Sequence, residues 1–81
     1  MPKYFIDVAE GTHFIEDEVG TILPDRESGR QVALQSLSDM IKEDLPTGEN
    51  QTFIATVRDE QGEESYCAKI TLSARSSTPL A

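Results

Sequence analysis

Residues 26–45, RESGRQVALQSLSDMIKEDL, are the stretch on which the fold turns. Ala33, Leu34, Leu37, Met40, Ile41 and Leu45 recur at spacings of three and four, which places them on one face of an α-helix. Asp25 precedes the run and fits an N-cap, with its carboxylate free to accept N–H bonds from the first turn. Pro46 ends it. The helix is then about eighteen residues long, enough to cross a small sheet.

Its charges run against intrinsic helix stability. Arg26 and Arg30 lie near the start, while Asp39, Glu43 and Asp44 lie toward the end. The helix dipole prefers the reverse, by about 0.3–1 kcal/mol for each charge close to a terminus. Arg26 with Arg30, and Asp39 with Glu43, are also like-charged pairs four residues apart. Gly29 stands where a helix-forming alanine would be expected, and weakens the first turns by about 1 kcal/mol. The simplest account makes Arg26 and Arg30 a structural charge pair, with Arg30 reaching over a sheet edge to Glu16, Asp17 and Glu18. The outward face, Ser28, Gln31, Val32, Gln35, Asp39 and Lys42, reads as solvent surface.

On both sides of the helix the period changes from 3.6 to 2. In KYFIDV, residues 3–8, Tyr4, Ile6 and Val8 point one way and Lys3, Phe5 and Asp7 the other. A turn around Gly11 leads to a shorter strand, HFIED, and the two form a hairpin. DEVG is a second turn, with Gly20 suited to a positive φ, and Pro24 stops further ladder pairing. After the loop PTGENQ, TFIATVRD is a strand with Phe53, Ala55 and Val57 on one side. The turn DEQG, residues 59–62, joins it to ESYCAKITLS, where Tyr66, Ala68, Ile70 and Leu72 alternate with Ser65, Cys67, Lys69 and Thr71.

The order is β-β-α-β-β. The expected fold is a two-layer α+β domain: one mainly antiparallel four-stranded sheet with one helix packed on one face. It spans residues 1–72, and residues 73–81 form a flexible C-terminal tail. The sheet face without the helix would carry Phe5, Asp7, Ile54, Thr56, Cys67 and Lys69, a mixed surface suited to an oligomer contact.

The 81 residues carry fifteen acids and seven bases, a net charge of −8. Such a chain repels phosphate backbones and anionic membranes. One cysteine and one histidine cannot build a four-ligand thiol zinc site, and a lone cysteine forms no internal disulfide. With one lysine and no long apolar run, the N-terminus reads as neither a signal peptide nor a membrane span, so a bacterial cytoplasmic location is expected. In a chain this short the burial gain and the ordering cost nearly cancel, which makes self-association attractive.

The acid-rich FIEDEVGTILPD, residues 14–25, is the natural place to look for chemistry. As an EF-hand loop it fails: with Gly20 at position 6, Ile15 and Val19 fall where oxygen ligands are needed. As a catalytic pair it also fails, because Glu16, Asp17 and Glu18 are consecutive and similarly solvated, with nothing to drive their pKa values apart. His13 reads as a rim residue, and Cys67 lacks the His and Asp partners of a nucleophile. Neither a catalytic residue, nor a metal ligand, nor a cofactor is expected.

The segments M-P-x-Y-F at residues 1–5, D-x-x-G-x-x-L-x-D at 17–25, an amphipathic helix from Arg26 and V-x-D-x-x-G at 57–62 occur together and in order. In this the chain resembles a family of small alphaproteobacterial domains of unknown function, over about residues 1–72. The resemblance implies a fold and no activity. A looser likeness to HicB-type antitoxins lies in a strand hairpin followed by a helix, and is fold-level analogy. The expected function is a non-enzymatic protein-interaction domain that self-associates through strand edges and the mixed sheet face. One alternative is an acidic inhibitor or antitoxin-like protein. It would meet a basic, nucleic-acid-handling partner through Glu16, Asp17, Glu18, Asp59, Glu60, Glu63 and Glu64. The last alternative is a minor metal-dependent enzyme.

Overall fold

The computed structural model of the chain describes residues 2–43 and 50–74. In chain order the elements are β1 (Lys3–Glu10), β2 (His13–Ile15), β3 (Thr21–Ile22), α1 (Arg26–Glu43), β4 (Asn50–Arg58) and β5 (Glu64–Ser73). Every strand pairing is antiparallel, and the main sheet runs β2-β1-β4-β5. The two-residue β3 is a fifth strand beside β1, pairing Lys3 with Ile22 and Tyr4 with Thr21. The α+β fold with one helix on one face of the sheet is therefore as expected, with β3 added. Expectations for Asp44, Leu45, Pro46 and most of the following loop lie outside the described residues. So does the tail from residue 75 onward, while Ser73 still belongs to β5.

The alternation in β4 builds the core. Phe53, Ala55 and Val57 face α1 and are essentially fully buried, against Ala33 and Leu37 of the helix. Tyr4 completes the buried cluster, and Ile6, Val8, Leu23, Met40, Ile41, Tyr66 and Ala68 pack around it. Leu34, assigned to the inward face by its spacing, lies at the margin and is 37 % exposed.

Gly29 proves to be a packing residue rather than a flaw in the helix. It is buried, and a Cβ built there would meet Cγ1 of Val57 at 3.3 Å and Cδ1 of Leu23 at 3.9 Å. The first turns of α1 sit close to β4 because position 29 has no side chain. The cost in helix propensity is the condition for that approach. At the start of the helix, Asp25 caps as expected: its Oδ1 accepts the Ser28 N–H and the Ser28 hydroxyl, both at 2.9 Å. These two bonds hold its pKa below the ordinary carboxylate value.

Candidate functional site

The acidic stretch is built around Asp17. Its Oδ1 accepts N–H bonds from Val19 at 3.0 Å and Gly20 at 2.9 Å, closing a turn in which Gly20 has φ +81°. Its Oδ2 accepts the N–H of Ile6 at 3.0 Å. That N–H lies on the edge of β1 between β2, which pairs with residues 8–10, and β3, which pairs with residues 3 and 4. One carboxylate thus bridges the gap in the edge ladder where no strand residue pairs. Burial opposes its ionisation, but the N–H bonds from Gly20, Ile6 and Val19 outweigh it and lower its pKa. A second D-x-x-G turn uses the same device. Oδ1 of Asp59 accepts from Gln61 and Glu63, both at 2.9 Å, and Gly62 has φ +83°.

Behind Asp17 lies an ion pair the sequence reading missed. Asp7, expected on an exposed mixed face, is 6 % exposed. Arg58 holds it in a forked contact, Nε to Oδ2 at 2.6 Å and Nη2 to Oδ1 at 3.1 Å. Asp7 Oδ1 also accepts the N–H of Asp17, and Arg58 Nη2 donates to the Asp17 carbonyl. The Phe5 ring stacks near the guanidinium, 5.0 Å from its centroid. The Arg58 bond chiefly lowers the Asp7 pKa, and the Asp7 bond chiefly raises that of Arg58. Arg58 thus fills the role expected of Arg30. Arg30 instead pairs with Glu27 at 3.1 Å and lies over the Tyr66 ring, while Arg26 donates to the Ser65 carbonyl at 3.4 Å.

The acids named as partner contacts therefore divide. Asp17 and Asp59 are committed to internal turns. Glu60 accepts the Lys3 N–H at 3.0 Å, and the Glu63 backbone closes the hairpin through its N–H and carbonyl. Glu16, Glu18, Glu63 and Glu64 present exposed carboxylates. Arg58 precedes Asp59 and touches Asp17, so the two acidic turns lie near one another. Glu63 and Glu64, however, line a recess with Tyr4 and Arg26 on the α1 face of the sheet, opposite the face that carries Asp7 and Arg58. Elsewhere a cleft of about 300 Å³ opens between β2 and the end of α1, with Val8, Ile15 and Met40 beside Glu10, His13 and Glu43. Among the described residues no cluster of His, Cys, Asp and Glu is arranged to hold a metal ion.

Among the described residues no strand pairs with the other sheet edge, β5. Ile6 turns its N–H away from β4, and Gly11 donates to the Thr52 carbonyl, so the odd residues of β1 bond β4. Antiparallel alternation then assigns Phe53, Ala55 and Val57 to β5, opposite Ile70, Ala68 and Tyr66. It follows that Cys67, Lys69, Thr71 and Ser73 turn both backbone N–H and C=O outward. Ten residues form this edge, and Ile70 on it is 37 % exposed. No pattern within the strand marks it as an edge, since that depends on strand order.

No helix among the described residues is long and apolar enough to cross a membrane. No curated protein and no solved structure matches the chain. The expected membership of a small domain family without assigned activity agrees with a family profile that matches residues 3–71. With that match covering both hairpins and the helix, the chain belongs to the family described as domain of unknown function DUF6894.

Proposed function

We propose that this chain is a non-enzymatic protein-contact domain that acts by strand addition at β5. One observation carries the reading: β5 is a ten-residue edge strand among the described residues, and its outward-turned backbone groups repeat at Cys67, Lys69, Thr71 and Ser73. Such an edge is a template for an extended segment, and proteins that do not use one normally blunt it with proline, bulges or clustered charge. Thr71→Pro removes an outward donor that β4 does not use, so it tests the edge while sparing the fold. Affinity capture from a lysate that also contains untagged copies of the chain, with the wild-type chain and with Thr71→Pro as bait, should retain partners or untagged copies on the first and lose them on the second. Equal capture by both, or none by either, contradicts the reading.

The exposed carboxylates left on the two acidic turns favour a second reading, an acidic inhibitor-like contact for a basic partner. Its carriers would be Glu16, Glu18, Glu63 and Glu64, because Asp17 and Asp59 are engaged internally. Capture through this surface should weaken steeply with salt and on changing Glu16 and Glu18 to Gln. Salt-insensitive capture counts against it.

A further inference from the structure

We propose that β5 is occupied by β5 of a second copy of this chain, antiparallel about a two-fold axis at Ile70. This rests on the strand-addition reading and names its occupant.

The argument begins with the inequality of the two sheet edges. The β1 side offers three residues of β2 and two of β3, and the Asp17 carboxylate holds the gap between them. Glu16 and Glu18 flank that gap. No long strand can add there. β5 offers ten residues with no proline, and Lys69 is the one charged side chain after Glu64. A sheet with two long open edges could add copies head to tail without end. With a single open edge, like pairs with like and assembly closes at two copies.

The register follows from the side chains and from the length of strand paired. A two-fold axis perpendicular to the sheet keeps opposed side chains on one face, so the numbers of opposed residues sum to a fixed even value. An axis at Lys69 would oppose two ammonium groups. Axes at Cys67 or Ala68 would set Glu64 against Ile70 or Leu72, and would draw in the irregular stretch opposite Val57 and Arg58. An axis at Ile70 opposes Lys69 to Thr71, Ala68 to Leu72 and Cys67 to Ser73, with no like charges facing. An axis at Thr71 also opposes no like charges, but pairs only residues 69–73 within β5, whereas one at Ile70 pairs residues 67–73. The outward groups of Cys67, Lys69, Thr71 and Ser73 then meet one another, odd residue to odd residue. Ile70 becomes covered by its own copy. Leu34, equally exposed, lies on the α1 row of Arg26 and Arg30 that is turned toward β5. Within residues 67–73 Lys69 is the only charged side chain, and it faces Thr71 in this register, so an acidic chain brings no carboxylate of the paired stretch against its own copy.

Size-exclusion chromatography with light scattering, over a dilution series, tests the proposal. The wild-type chain should run at twice the chain mass and dissociate on dilution. Ile70→Lys, which places two ammonium groups at the axis, and Thr71→Pro should each run at the single-chain mass with unchanged far-ultraviolet circular dichroism. In a Cys67→Ser background, oxidation should cross-link Ile70→Cys to itself and leave Lys69→Cys uncoupled, because only position 70 faces its own copy within disulfide reach. A wild-type chain that stays single up to millimolar concentration overturns the proposal. So does a dimer that survives both variants, or equal cross-linking at 69 and 70. A single-chain protein that still captures others through Thr71 overturns the dimer and leaves strand addition standing.

Discussion

Replacing Asp17 by Asn separates the structural reading of the acidic stretch from a surface reading more sharply than any deletion. The native carboxylate accepts from two directions, from Val19 and Gly20 on Oδ1 and from Ile6 on Oδ2. An amide has one acceptor oxygen. If it faces the turn, its NH₂ opposes the Ile6 N–H; if it faces Ile6, its NH₂ opposes two turn amides. Either way at least one bond to a charged acceptor becomes a donor–donor contact, which costs about 1.5–3 kcal/mol. For a chain of this size about 2 kcal/mol lowers the melting temperature by roughly 8–16 °C. Glu16→Gln and Glu18→Gln are the controls, since their carboxylates are exposed, and each should stay within about 0.5 kcal/mol of wild type. Urea unfolding at one fixed chain concentration measures all three, the concentration being held because dimer dissociation would couple to unfolding. Amide exchange at Ile6 should accelerate in Asp17→Asn alone. The reasoning fails if Asp17→Asn is as stable as the two controls.

Both Asp7 and Asp17 have pKa values below the ordinary carboxylate range. The unfolded chain therefore binds protons first: stability should be level above about pH 5 and fall as the pH drops through about 4 and below. Urea midpoints measured against pH check this, and the fall should be shallower in Asp17→Asn. Gly29→Ala gains about 1 kcal/mol of helix propensity but drives a Cβ toward Val57, a stiff and buried neighbour. Overpacking costs about 1–3 kcal/mol, so the variant should be no more stable than wild type, and pairing it with Val57→Ala should recover part of the loss in a double-mutant cycle. Leu37→Ala, at a fully buried site, should lose about 3–4 kcal/mol in the same urea assay.

What could be read from the sequence was periodicity and local chemistry. The alternation of Phe53, Ala55 and Val57, the helical spacing of Ala33, Leu37, Met40 and Ile41, and the Asp25 cap are all signals within a few residues of one another. The Asp7–Arg58 pair is separated by 51 residues and exists because β1 lies beside β4, an order that no local pattern encodes. Without that order Asp7 looked like a surface residue, and Arg30, nearer in sequence, looked like the partner of the acids. Gly29 misled for a related reason: helix propensity is a property of the helix alone, whereas the closeness of Val57 is a property of the packed sheet. Asp17 could be placed in a turn but not at a gap in a ladder, because the gap depends on β2 and β3 both pairing with β1. The β5 edge, the core of the proposed function, was likewise invisible until one strand had to be last.

Residue-resolved amide exchange along β5 tests the central claim most directly. The even-numbered amides of Tyr66, Ala68, Ile70 and Leu72 are bonded to β4 and should be slow at every concentration. The odd-numbered amides of Cys67, Lys69, Thr71 and Ser73 should be slow at concentrations where the chain is paired, and fast on dilution and in Ile70→Lys. Odd-numbered amides that exchange freely at every concentration, beside slow even-numbered ones, would contradict the account: the edge would be open and unused by a second copy.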